Sequence, residues 1–194
     1  MSSQKLSTRD NILDSAWKLL ADDRPSAVRM SDIAKQAGIS RQAVYLHFPS
    51  RAELLTATTR HIDDVMGVDD RLAASRAAPT GNTRLAAFIE AWGNYIPEIY
   101  GVARALMALQ THDDAARVAW GDRLAAVREG CEAAVMALSA DGVLTSALSV
   151  PEATDLLFVE LSVERWAHLC HDCSWTQARY VEVTQRTAHR LLVR

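Results

Sequence analysis

The spacing Ala34-x-x-x-Gly38-x-Ser40-x-x-x-Val44 constrains this chain more than any other feature. Gly38 can take positive φ at negligible steric cost, which permits a sharp turn between two short helices expected over 31–36 and 41–48. Ala34 is small enough to let the second helix come close, and it faces inward together with Ile33. Ile39 fills the corner, Ser31 and Ser40 are placed to cap the two helices, and Val44 and Phe48 anchor the second to a core. The pattern specifies two helices crossing steeply over a tight turn.

What this arrangement leaves pointing outward is Arg41, Gln42, Tyr45, Leu46 and His47. The set lacks carboxylates and is rich in hydrogen-bond donors. Arginine matches the O6/N7 edge of guanine and glutamine the N6/N7 edge of adenine, both in the major groove. Tyr45 and His47 can donate to phosphate oxygens, which fixes register without reading sequence.

Around this pair, apolar residues recur at helical spacing nearly throughout, and no stretch alternates with period two. A first helix is expected over 7–21, with Ile12, Leu13, Ala16, Trp17 and Leu20 as its stripe and Ser7 with Asp10 at its start. Residues 22–27 break the pattern, and Ser50-Arg51-Ala52-Glu53 has the form of a capping box opening another helix. Residues 67–82, small and polar with Pro79 and Gly81, read as a connection. Beyond it, Leu85, Phe88, Ile89, Trp92 and Ile96 mark an amphipathic helix ending at Pro97. A shorter helix over 104–110 and a long one over 114–138 follow. The last two are expected over 151–170 and 175–192, with Pro151 at a first helical position and Ser174 as an N-cap. The 151–170 segment is apolar on more than one face, which suits a helix that is central or shared between subunits. The expected fold class is all-α: a three-helix helix-turn-helix domain over 1–50, then a larger helical domain over 51–194.

Charge divides along the same line. Residues 1–60 carry nine basic and six acidic side chains, whereas residues 61–194 carry twelve and eighteen. A basic head on an acidic body suits a DNA-binding segment joined to a regulatory one, and Lys5 and Arg9 could extend it onto the DNA backbone. Three cysteines in no disulfide framework, an opening without an apolar core and no run of about 20 apolar residues lead to the expectation of a cytoplasmic protein without a membrane span.

The first fifty-odd residues resemble the DNA-binding region of the TetR family of transcriptional repressors. The likeness rests on Ile12 and Ala16, then Ser31-Asp32-Ile33-Ala34, Ala37-Gly38-Ile39-Ser40, Tyr45-Leu46-His47-Phe48 and Ser50-Arg51-Ala52-Glu53-Leu54-Leu55. It implies that 41–48 is the recognition helix, that Tyr45 and His47 hold phosphates, and that Ser31 does likewise from the second helix. Arg51 stands where the family commonly has lysine, which implies a phosphate contact of altered geometry. Base reading falls to Arg41 and Gln42, with Ser40, Ala43 and Leu46 as lesser candidates. The resemblance further implies a homodimer through the last two helices and a palindromic double-stranded operator. It also implies a small-molecule effector whose binding releases the DNA.

For the effector pocket, the aromatic and polar residues Phe88, Trp92, Tyr95, Tyr100, Met107, Gln110, Trp120, Phe158 and Trp166 are the candidates, with plain core as their other reading. The cluster His168, Cys170, His171 and Cys173 offers ligands suited to zinc or copper(I), in a spacing that matches no established structural zinc pattern. A metal-responsive regulator is therefore the alternative reading, although no cofactor or metal is assigned. No glycine-rich phosphate loop, nucleophile elbow or helical Glu-x-x-His pair is present, so enzymatic function is not expected; a helical-bundle enzyme stands as a further alternative without motif support.

Overall fold

The protein is described by a computed structural model covering residues 7–22 and 28–194. Lys5, the opening of the chain and most of the 22–27 break lie outside the described residues. The described helices are α1 (Thr8–Ala21), α2 (Met30–Ala37), α3 (Arg41–His47), α4 (Arg51–Val65), α5 (Val68–Arg76), α6 (Gly81–Leu109), α7 (Asp114–Ala140), α8 (Val150–Glu160), α9 (Val163–Ala167) and α10 (Gln177–Leu192). A π turn, His168–Asp172, follows α9 directly, and an antiparallel bridge joins Leu144 to Val193. Among the described residues no helix is long and apolar enough to cross a membrane.

Two compact units form, one from the chain through Met66 with Gly101–Arg123, the other from Gly67–Tyr100 with Leu124–Arg194. In the first unit, the α1 stripe of Ile12, Leu13, Ala16 and Leu20 is buried, while Trp17 is half-buried. Ser7 caps α1 by accepting from Asp10 N–H, as its position suggests. Packing groups α4 with α1, because α4 carries its own stripe of Leu54, Leu55 and Ile62 and buries it in this unit. The compact unit therefore extends beyond residue 50, where the sequence suggests a domain boundary. In the second unit, Leu85, Phe88 and Ile89 of α6 meet Cys131, Val135 and Leu138 of α7, with Leu157, Leu161, Ala188 and Leu192 completing the core.

Four local expectations are corrected. Within 67–82, α5 forms; it escapes sequence reading because it has almost no apolar stripe. Asp69 and Asp70 in its first turn and Arg76 in its last complement the helix dipole instead. The helix expected to end at Pro97 runs through it to Leu109, absorbing the separate 104–110 segment. Proline has no N–H to give to the carbonyl four residues back, Gly93. The Gln177 side chain fills that role, donating to Gly93 O at 2.8 Å.

The expected 151–170 helix is interrupted at Leu161 and Ser162. Ser162 caps the restart by accepting from Arg165 N–H, while the indole N–H of Trp92 donates to Leu161 O and Arg165 donates to Glu160 O. These donors satisfy carbonyls that the break would otherwise leave without partners. At α10 the cap is Thr176 rather than Ser174, which has φ 56° and lies outside the helix.

Candidate nucleic-acid interface

The turn between α2 and α3 is built as its sequence prescribes. Gly38 adopts φ 69°, its N–H donates to Lys35 O at 3.2 Å, and Ile39 N–H donates to Ala34 O at 3.0 Å. These two bonds constitute a Schellman motif, which requires a left-handed residue at that position. Asn11 of α1 adds a link not apparent from sequence, donating from its amide to Ala37 O at 2.8 Å and tying the end of α2 to α1. Ser40 then caps α3, its hydroxyl accepting from Ala43 N–H at 3.1 Å.

With Val44 and Phe48 buried, α3 turns Arg41, Gln42, Tyr45, Leu46 and His47 to the exposed side. Leu46 is 81% exposed. Arg41 and Tyr45, one turn apart, are joined: a guanidinium N–H donates to the phenol oxygen at 3.3 Å, and the guanidinium lies 5.5 Å from the ring centre. The Tyr45 hydroxyl holds Arg41 more firmly protonated than usual. Arg9 of α1 brings a further cation beside α3, with its guanidinium 5.2 Å over the Phe48 ring.

Two expected contacts are placed differently. Ser31 is exposed, but it does not cap α2, because the helix begins earlier at buried Met30 and the cap position falls on Arg29. The Asp32 carboxylate accepts from Arg29 N–H there at 3.2 Å. Arg51 is turned into the protein rather than outward. Its Nε donates to Val28 O, and Nη1 lies 2.6 Å from both carboxylate oxygens of Asp113. Burial raises the Asp113 carboxyl, but hydrogen bonds from Arg51 and the Ala115 and Ala116 amides outweigh it and hold the group below the usual carboxylate range. Arg51 Nη2 is buried without a partner, so the guanidinium is committed to this internal contact.

The candidate pocket residues divide between the compact units. Met107, Gln110 and Trp120 belong to the first; Phe88, Trp92, Tyr95, Tyr100, Phe158 and Trp166 belong to the second. In the second unit, Tyr95 lies under the Arg71 guanidinium at 5.5 Å, and burial pushes its phenol above the usual range. Tyr100, Trp166 and His171 cluster with ring centres 5.0–5.1 Å apart, the Trp166 and His171 planes meeting edge to face. Phe88 is core, packed against Gly130 so closely that a Cβ there would meet its ring at 2.6 Å.

His168, Cys170, His171 and Cys173 are not assembled as a ligand set. Among the described residues, no three His, Cys, Asp or Glu side chains are grouped to hold a metal ion. Within the π turn, His168 pairs with Asp172 at 2.8 Å, while His171 lies against the Tyr100 ring.

The family description "Bacterial regulatory proteins, tetR family" matches residues 12–58. The transcriptional repressor LfrR of Mycolicibacterium smegmatis is 42% identical over 73 residues, which cover 38% of this chain and 35% of that protein. This chain matches between a third and two-fifths of the length of such curated relatives. Over nearly the whole chain the likeness is one of fold. A putative TetR-family regulator from Rhodococcus sp. superposes with a TM-score of 0.75 at 19% identity, covering 95% of this chain and 98% of that one. A putative transcriptional regulator from Saccharomonospora viridis, solved in complex with choline, gives 0.72 at 19% identity, with coverage of 96% and 97%.

Proposed function

We propose that this chain, whose residues 12–58 belong to the tetR family of bacterial regulatory proteins, is a sequence-specific DNA-binding transcriptional regulator acting as a homodimeric repressor. The observation that carries this reading is the outward face of α3, where Arg41, Gln42, Tyr45, Leu46 and His47 are exposed together on a rigid turn. In this reading Arg41 and Gln42 read base edges, and Ser40, Ala43 and Leu46 contribute contacts at the groove floor. Ser31, Tyr45 and His47 hold phosphates. Arg51 is left out, because its guanidinium is engaged by Asp113.

One short helix reads too few base pairs for specific binding in a genome. A dimer places two of them about 34 Å apart in successive major grooves of a palindromic operator. Leu156 and Val159 of α8, 37% and 61% exposed, and Leu191 of α10 support an isologous contact through the last helices. Functionally, residues 1–50 read DNA and residues 51–194 bind effector and partner. The effector is a small organic molecule, in line with the choline held by the Saccharomonospora regulator. It acts by differing in affinity for the DNA-competent and released conformations. The protein works in the cytoplasm, where the DNA is.

A mobility-shift titration against the DNA upstream of its own gene tests this. The expected outcome is a shift at nanomolar protein, outcompeted only by the same sequence and weakening steeply as salt rises. Equal competition by unrelated DNA overturns the reading.

A further inference from the structure

The segment from His168 to Ser174 lies outside the helix proposed to read DNA, and it carries a Cys-x-x-Cys sequence in unusual backbone. The π turn His168–Asp172 closes with Cys173 N–H donating to His168 O at 2.9 Å, and Ser174 follows at φ 56°. Single π turns inside helices are rare and recur at functional sites. Cys170 lies within the turn and is half-buried; Cys173 ends it and is exposed; both are free thiols. We propose that Cys170 and Cys173 form a dithiol site that a peroxide oxidises to a reversible intramolecular disulfide.

Only two residues separate the cysteines in the chain, and a disulfide needs their Cβ atoms at about 3.5–4.5 Å, so closure asks for a local adjustment of the turn. The segment can supply it at the surface, because His171, Asp172, Cys173 and Ser174 are all exposed and Cys173 has already left the helix. Burial raises the Cys170 thiol, which leaves Cys173 as the accessible nucleophile and Cys170 as the resolving group. The third cysteine, Cys131, is fully buried in α7, with its thiol pushed up to about 12, and stands apart from this chemistry.

The reaction balances with a peroxide as oxidant. The Cys173 thiolate attacks one peroxide oxygen, the O–O bond breaks, and the departing hydroxide takes a proton to become water. Cys170 sulfur then attacks the resulting sulfenic acid, the S–S bond forms and the S–O bond breaks. The second hydroxide leaves as water with the Cys170 proton. Two electrons pass from the pair of sulfurs to the peroxide. In reducing surroundings, bridges of this kind are transient and sensing rather than structural.

Hydrogen peroxide added to the purified full-length protein tests the proposal without DNA or effector, so its outcome is independent of the regulatory reading. Intact mass should fall by two hydrogens, peptide mapping should link Cys170 to Cys173, and dithiothreitol should restore both thiols. Cys170→Ser should instead give a Cys173 sulfenic acid trapped by dimedone, and Cys173→Ser should leave Cys170 unoxidised at the same dose. Oxygen adducts on wild-type Cys173 with no bridge would overturn the proposal. So would a bridge between chains, one to Cys131, or the same two-hydrogen loss in Cys170→Ser.

Discussion

At Arg51, charge and sequence position both fit a phosphate contact, yet the guanidinium faces Asp113 with side chains only 20% and 15% exposed. Removing either partner strands a half-buried charge, so Arg51→Ala should cost roughly 1–3 kcal/mol in chemical unfolding. Asp113→Ala should cost a similar amount, and the double variant clearly less than their sum. The same Arg51→Ala protein should keep the salt dependence of its DNA binding. Loss of a phosphate contact would instead lower the log–log slope by about one. Tyr45 raises a related point. Its hydroxyl accepts from Arg41 and so orients the side chain proposed to read bases. The partner of a surface cation is set by what folds opposite it, and a residue 62 positions away leaves no trace beside Arg51 in the sequence.

Among the elements, α6 is the most instructive. Pro97 reads as a terminator because it removes one backbone hydrogen bond, and the helix continues because α10 supplies the missing donor through Gln177. Gln177 also accepts from the Trp166 indole N–H at 2.8 Å, so one side chain satisfies two buried polar groups. Gln177→Ala should therefore destabilise the protein by about 1–3 kcal/mol. In a Pro97→Ala background the loss should be smaller, because an alanine in place of the proline donates its own backbone N–H to the Gly93 carbonyl. Equal losses in both backgrounds, measured by thermal or urea unfolding, would refute the compensation. The α8–α9 break follows the same logic: Trp92 satisfies Leu161 O from 69 positions away, and Arg165 satisfies Glu160 O from across the break.

At the scale of the whole molecule, the exposed apolar residues of α8 and α10 bear on assembly. Single exposed apolar side chains are ordinary, but Leu156 and Val159 lie on one face of the same helix, one turn apart. Replacing both with glutamate should convert the proposed homodimer to a monomer in sedimentation while leaving helix content unchanged. Operator affinity should fall by at least tenfold, since a single head keeps only half of the contacts. A variant that stays dimeric places the subunit contact elsewhere.

What the sequence determines by itself is local. The Gly38 turn, the Ser7, Ser40 and Ser50 caps and the exposed set on α3 each follow from residues within a few positions of one another. Backbone conformation and hydrogen-bond capping act over that same range. Tertiary structure alone decides what depends on partners distant in the chain. It buries Arg51 against Asp113, carries α6 through Pro97 and breaks α8 from α9. Among the described residues it also leaves the histidine–cysteine cluster without three side chains grouped to hold a metal ion. The physical reason is shared: a polar group takes whichever partner packing brings to it, and packing is set by apolar stripes that meet only when the whole chain has folded.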